Sequence, residues 1–336
     1  KKWKEENLLS FNDFKNLLSN KKIPDSENPN KLKQLANVWL DWPKRRQYDG
    51  IVFDPSEKTQ NNYYNLWKGF VIKPEQGECG YLNDHILEII ANGNNDRYKW
   101  LMSWFAAIVQ RPWKKQIVCP VFTSGEGTGK DTLINNFGKI LGRHYAFISN
   151  PTHLIGRFNG HTASTLLVYG NEVSWGGDIQ KAGIIKSLIT DPFRNIEYKG
   201  KDVFQIENLI NLVLSSNNDW IVPAGIDSRR FYIFEVSEKK KQQTDYFKKI
   251  YEEMNNGGLE AFFYKLLQWD YKQVDLRTIE RNEGLLNQII RSFKPIQRYW
   301  FERLENGHLI SAKYEQDNKT IKESPLEWNN PIKVNQ

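Results

Sequence analysis

The chain has 336 residues, 39% of them hydrophobic, and a formal net charge of +7; it can bury one large core or two to three smaller ones, and its basicity suits a polyanionic partner without requiring one. Only Cys79 and Cys119 occur, with no CxxC spacing, which excludes a disulfide framework and a cysteine-built zinc site and makes a reducing, intracellular setting the expectation. No apolar run reaches the ~20 residues of a membrane span, the opening KKWKEENLLSF is too polar for a signal peptide, and a first residue of Lys rather than Met is read as the start of a piece of a longer polypeptide.

Along residues 1 to about 47, helical spacing in FNDFKNLLSN is broken by SENPN and resumes in KLKQLANVWLDW before Pro43. From Tyr48 to Pro74 the pattern turns short and aromatic, in YDGIVFDPS and YYNLWKGFVIKP, which predicts a pair of strands. Tyr81 to Trp113 returns to helical periodicity in two segments split by ANGNN. Trp39, Trp42, Trp67, Trp100 and Trp104 fall among apolar residues at helical or strand spacing, which favours core packing over stacking on nucleic-acid bases.

The middle third alternates strand and helix, the pattern of an α/β core with a largely parallel sheet. It predicts a strand ending at Phe122, a helix from Lys130 to Leu141, a strand at TLLVYG, a helix from Ile179 to Thr190, a polar hairpin at NIEYKGKDVFQI, and strands at LINLVLSS and RFYIFEV. Pro120 lies inside the first of these, so that strand is short or carries a bulge. Beyond KKKQQ, Asp245 to Gln268 and Glu283 to Leu304 are amphipathic helical stretches, and a partly ordered tail without clear period is expected from about Glu305.

The stretch IVCPVFTSGEGTGKDTL, Ile117 to Leu133, reads as an apolar run, a glycine-rich loop and a helix start. Gly125, Gly127 and Gly129 at alternate positions let successive N–H groups point inward, and the loop meets the positive end of a helix dipole. With Glu126, Thr128 and Thr132 they make a candidate P-loop in which Lys130 supplies a point charge for the β- and γ-phosphates of ATP. The strict pattern is missed twice: Ser124 sits where the first glycine is expected, and Asp131 replaces the hydroxyl residue after the lysine. An ordinary glycine-rich turn is the alternative.

A phosphate loop needs carboxylates delivered by a second strand. LLVYGNEV runs into Asn171 and Glu172 at a strand's carboxyl end, where ligands of open α/β sheets bind. Glu172 is the candidate base for water; a Glu that merely caps a loop is the alternative. Asn171 stands where the Asp linked to Mg²⁺ is expected, and its neutral amide contributes less to a cation. Either Asp131 has taken over contact with the ion or its water shell, or it complements the helix N-terminus. Asn217 ends the next apolar strand, placed to touch the γ-phosphate or attacking water, although Asn is also a common turn former. Asp227 to Phe231, DSRRF, sets Arg229 and Arg230 directly before a strand, where guanidinium forks match phosphate oxygens and can act from a neighbouring subunit. Which of the two faces a nucleotide stays open. The five histidines show no metal spacing.

The series SGEGTGKDTL, LLVYGNE, IKSLITDPFRNIEYKGKD, LVLSSNN and DSRRF resembles the superfamily III helicases, in particular the helicase part of phage primase-polymerases, which is related to poxvirus-type primase-helicases. The resemblance covers roughly residues 80 to 305, including GRFNG and QRYWFERL. It implies a ring, usually a hexamer, that hydrolyses ATP between subunits and draws single-stranded DNA through its centre. By that mapping Lys130 belongs to the phosphate loop, Glu172 to the second motif, Asn217 to the sensor and Arg229 or Arg230 to a finger acting across the interface. Lys199 and Lys201, at the hairpin tip, would contact DNA, whereas most exposed hairpin lysines are simply solvated.

The expected fold is therefore α/β: a P-loop NTPase (AAA+-like) core at 116–238 with a mainly parallel sheet, a mainly helical accessory or oligomerisation region with a β-hairpin at 1–115, and a helical C-terminal region and tail at 239–336. The expected function is an ATP- and Mg²⁺-dependent DNA helicase or translocase module, attached to an N-terminal primase-polymerase part, in the cytoplasm of a phage-infected cell and with no membrane partner. The departures at Asp131 and Asn171 put efficient hydrolysis in doubt more than nucleotide binding, so a nucleotide-binding ring or DNA clamp with weak or no ATPase is the alternative. A small-molecule P-loop kinase explains neither the arginine pair nor the lysine hairpin.

Overall fold

The computed structural model describes residues 9–25, 28–156, 159–172, 179–198, 203–217, 221–222, 224–225, 228–315 and 318–325. The chain divides into two compact units, Lys1–Lys68 and Gly69–Gln336.

In the first unit, the helix Phe11–Leu17 starts at Ser10, whose side chain caps it in a capping box with Asp13. A second helix spans Leu35–Asp41. Between them lies an antiparallel pair, Lys22–Pro24 with Leu32–Gln34, in a stretch whose spacing predicted helix and loop only. The two aromatic stretches form the strands Gly50–Val52 and Tyr63–Asn65, and these pair in parallel, so the unit's hairpin is the earlier pair. Trp67 is buried beside Phe53, but Trp39 and Trp42 are 38% and 52% exposed, contrary to their expected burial. A seven-residue helix has too few turns to cover both rings; Trp39 packs against Phe14, with ring centroids 5.3 Å apart.

The second unit is built on five parallel strands: β1 (Cys119–Thr123), β2 (Tyr145–Ile148), β3 (Leu167–Asn171), β4 (Asn211–Ser216) and β5 (Phe231–Glu235). Their order is β5-β1-β4-β3-β2, which is the expected α/β core with a parallel sheet. Alternation along the strands feeds two cores. Phe122, Tyr169, Val213, Tyr232 and Phe234 face one side, and Cys119, Val121, Val168, Leu214 and Ile233 face the other. Burial on both faces is why these strands read as continuous apolar runs. Pro120 needs no bulge. Cys119 donates its N–H to the carbonyl of Arg230, just before β5, so position 120 faces β4, whose pairing with β1 begins only at Val121.

The helix Asn95–Gln110, capped by the Asn94 side chain, is buried from Trp100 to Val109, and the Trp104 indole donates to the Val118 carbonyl at 2.9 Å. The helices Lys130–Leu141 and Ile179–Thr190 have the predicted bounds. The polar hairpin pairs Phe193–Ile196 with Phe204–Glu207. Toward the C-terminus, the stretch predicted from Asp245 is two helices, Thr244–Glu253 and Leu259–Gln268, separated by a kink where Gly257 takes φ +94°. Pro295 opens a helix of its own, Pro295–Asn306, after Glu283–Arg291. In the stretch expected to be a partly ordered tail, His308–Glu315 and Asn318–Pro325 pair antiparallel over eight positions, and residues 326–336 lie outside the described residues. Residues 316–317 between them carry no glycine, so the sequence held no hairpin signal there.

Candidate functional site

β1 leads into the glycine-rich loop, and the helix Lys130–Leu141 follows it with Gly129 in the left-handed region at φ +94°. A Cβ on Gly129 would lie 2.5 Å from His85 and 2.6 Å from Phe247, so sterics and φ both require glycine there. Lys130 is buried, and its ammonium donates to Ser124 O at 2.9 Å, Gly125 O at 3.4 Å and Asn217 Oδ1 at 2.8 Å. Burial lowers its pKa, while the carboxylates of Glu172, Asp131, Glu126 and Glu238 pull the other way. Thr128 closes the loop with a 2.6 Å hydroxyl contact to Ser124.

β3 ends in Asn171, and the next residue, Glu172, has φ +54°, a conformation that non-glycine residues seldom adopt and that concentrates at functional sites. Its backbone N–H is held by Ser215 O at 2.9 Å, and its Oε2 accepts from Ser216 Oγ at 3.5 Å and from the Asn217 N–H at 3.4 Å. β4, which carries Ser215 and leads into Asn217, thus lies between the strand of the lysine and the strand of the glutamate. Residues Glu126 to Thr132, Asn171, Glu172 and Asn217 line one cavity of about 630 Å³, whose far wall is Gln242, Thr244, Phe247 and Tyr251. It lies at the carboxyl edge of a parallel sheet, beside the point where the chain order reverses between β1 and β4.

The Asp131 carboxylate accepts from the Tyr169 hydroxyl, which also lies 2.7 Å from Ser215 Oγ. Asp131, Asn171 and Glu172 offer oxygen donors on one cavity, a set that suits Mg²⁺ accompanied by phosphate. Among the described residues no group of three His, Cys, Asp or Glu side chains could hold a metal on its own.

Residues 122–230 match the model of a family of unknown function (DUF5906). The DNA primase-polymerase of Nitratiruptor phage NrS-1 is 28% identical over 221 residues, which span 61% of this chain and 30% of that protein. The chain is homologous to that primase-polymerase. Its fold is that of the NrS-1 C-terminal region: one solved structure of that region superposes with a TM-score of 0.67 at 22% identity, covering 88% of this chain and 79% of the other. A second, in the A form, gives 0.65 at 21% identity, over 87% and 80%. The chain therefore corresponds to under a third of the length of the NrS-1 protein, and the relationship is one to a phage replication enzyme. Among the described residues, no helix is long and apolar enough to cross a membrane.

Within that shared fold, the loop residues Gly125 to Thr132, Asn171, Glu172 and Asn217 come together, but the arginines do not join them. Arg230 directly precedes β5 and Arg229 precedes Arg230, at the amino edge of the sheet, whereas the loop leaves β1 at its carboxyl edge. Arg229 is exposed, and the buried Nε of Arg230 has no hydrogen-bond partner among the described residues. Lys199 and Lys201 lie outside the described residues.

Three further groups at the loop had no local sequence signal. His85, fully buried, contacts Gly129 O through Nε2 at 3.1 Å and the Tyr246 hydroxyl through Nδ1 at 3.2 Å. Because a carbonyl only accepts, Nε2 carries the proton and Nδ1 accepts from Tyr246. Burial depresses the His85 pKa to about 4. Glu238 accepts from the Gly125 N–H at 3.0 Å and pairs with Lys241 at 3.2 Å, and the Gln242 N–H donates to Gly127 O at 2.9 Å. The basic run read as a boundary is thus the strap that holds the loop's outer side.

Proposed function

We propose that this chain is the ATP-driven motor module, a DNA helicase or translocase, of a phage replication protein whose N-terminal part carries primase and polymerase chemistry. The observation that carries the reading is the convergence of Lys130, Asn217 and Glu172 on one cavity at the carboxyl edge of the sheet. In this reading Lys130 and the loop N–H groups bind the β- and γ-phosphates of ATP, and Asn217 contacts the γ-phosphate or the attacking water. Glu172, fixed by its backbone bond to Ser215, accepts the proton of that water. Bound Mg²⁺, held by Asp131 with Asn171 and Glu172 close by, supplies charge neutralisation.

The placement of Arg229 and Arg230 at the opposite edge from their own cavity supports a finger offered to a neighbouring copy, hence a homo-oligomeric ring, as a hexamer, with single-stranded DNA at its centre. Lys199 and Lys201 on the hairpin are the proposed DNA contacts, and the host cytoplasm is the proposed setting. DNA-stimulated ATP turnover by wild type and Glu172→Gln tests the motor, and particle mass with and without ATP and single-stranded DNA tests the ring. A second reading, a nucleotide-binding ring or clamp with little ATPase, is favoured by Asp131 and Asn171 at positions where a hydroxyl and a carboxylate are expected; absence of turnover in both proteins selects it.

A further inference from the structure

A fully buried tyrosine sits directly behind the loop. Tyr169, on β3, is 0% exposed, and phenylalanine would fill the same volume without requiring a polar partner. Its hydroxyl instead meets the Asp131 carboxylate and lies 2.7 Å from Ser215 Oγ on β4; Ser215 Oγ in turn donates to Asn171 Oδ1 at 2.8 Å. Three contacts share two hydroxyl protons. The Tyr169 proton goes to Asp131, which only accepts when ionised. The Ser215 proton goes to Asn171 Oδ1, which fixes the orientation of that amide beside the tyrosine. Asn171, its oxygen held by Ser215, and Asp131 line the same cavity.

We propose that Tyr169 is a positioning residue: through Asp131 on one side and the Ser215–Asn171 arm on the other, it sets two oxygens, one from the start of the helix Lys130–Leu141 and one from the end of β3, as the protein half of a divalent-cation seat beside the phosphates. The proposal rests on the nucleotide reading of this cavity. It explains why a carboxylate after Lys130 and an amide before Glu172 occur together. A carboxylate directly after the lysine needs a donor to fix its rotamer, and the donor's own chain of bonds ends on an amide that can both donate and accept. Tyr169 acts through Asp131 and touches neither nucleotide nor cation.

The test is nucleotide affinity, followed by a fluorescent ATP analogue, titrated with Mg²⁺ from chelator to excess. Tyr169→Phe should raise the Mg²⁺ concentration for half-maximal tightening at least fivefold and leave the metal-free affinity within twofold. Asp131→Asn should raise the same Mg²⁺ midpoint, and the double variant should raise it no further. Ser215→Ala, which breaks the arm while leaving the ring, should move the same way and carries the test alone if Tyr169→Phe melts early. A Mg²⁺ dependence within twofold of wild type in the folded variants overturns the inference while the nucleotide reading stands. Wild type that binds no nucleotide at any Mg²⁺ concentration overturns both.

Discussion

Acidification should weaken this fold in large part through His85. Its imidazole is fully buried behind Gly129 and is held neutral, with a pKa near 4 against an ordinary value of 6.5, because burial disfavours the imidazolium. The unfolded chain takes up this proton as pH falls through 6.5, whereas the folded chain resists until about pH 4. The contribution to stability is therefore whole above pH 7 and drains away between pH 6.5 and 4. At 1.36 kcal/mol per unit, the loss between pH 7 and pH 5 is about 2 kcal/mol, and it approaches about 3 kcal/mol at pH 4. Lowered carboxylates such as Glu280 and Asp54 lose their own contributions at the lower end of this range, so a difference measurement is needed. His85→Gln places an amide nitrogen where Nε2 donates and does not titrate. Denaturant unfolding of both proteins from pH 7.5 to 5, followed by tryptophan fluorescence, should give curves that converge by about 2 kcal/mol as pH falls. Parallel curves would show that His85 titrates alike in both states, and the buried neutral imidazole would be refuted.

Glu172→Gln should lower ATP turnover at least 100-fold, with nucleotide affinity within about threefold, as loss of a general base predicts; equal losses in both would make Glu172 a structural residue. Asn171→Asp should restore part of the activity lost in Asp131→Ala, measured by phosphate release, since it returns the carboxylate to β3; a double variant no better than the single one would refute the exchange of roles. Gly129→Ala should cost upwards of about 2 kcal/mol in thermal or denaturant unfolding, from a positive φ and a clash with His85 and Phe247 together. A loss below about 0.5 kcal/mol would mean the loop can relax around a methyl group.

The core was legible in the sequence where one local rule decided the element. The helix after the loop begins at Lys130 because a glycine in the left-handed region sits directly before it, and β3, β4 and β5 are apolar runs because both sheet faces are covered. β2 escaped notice: four residues, YAFI, at the sheet edge and only Ile148 buried, carry too little pattern to register. The parallel pairing of Gly50–Val52 with Tyr63–Asn65 is decided by partners distant in sequence, and the pairing of His308–Glu315 with Asn318–Pro325 carries no glycine between its strands to announce it. The candidate site divides in the same way. Lys130, Glu172 and Asn217 end strands or open a helix and announce themselves, but His85, Tyr169 and Ser215 act by contacts 38 to 46 residues away, and each is an ordinary core residue until the sheet order is known.

The strand inserted between β1 and β3 gives Asn217 an office that neither neighbour could hold. Adjacent strands run about 4.8 Å apart, so the lysine and glutamate strands are separated by about 9.6 Å, too far for a direct bond between their backbones. Asn217 spans that gap with different atoms, its side-chain oxygen on the ammonium of Lys130 and its main-chain nitrogen on the carboxylate of Glu172. Anything that tugs Lys130 off the amide pulls on the same peptide that steadies the glutamate, so charge arriving on one bank is registered on the other through a single hinge pin.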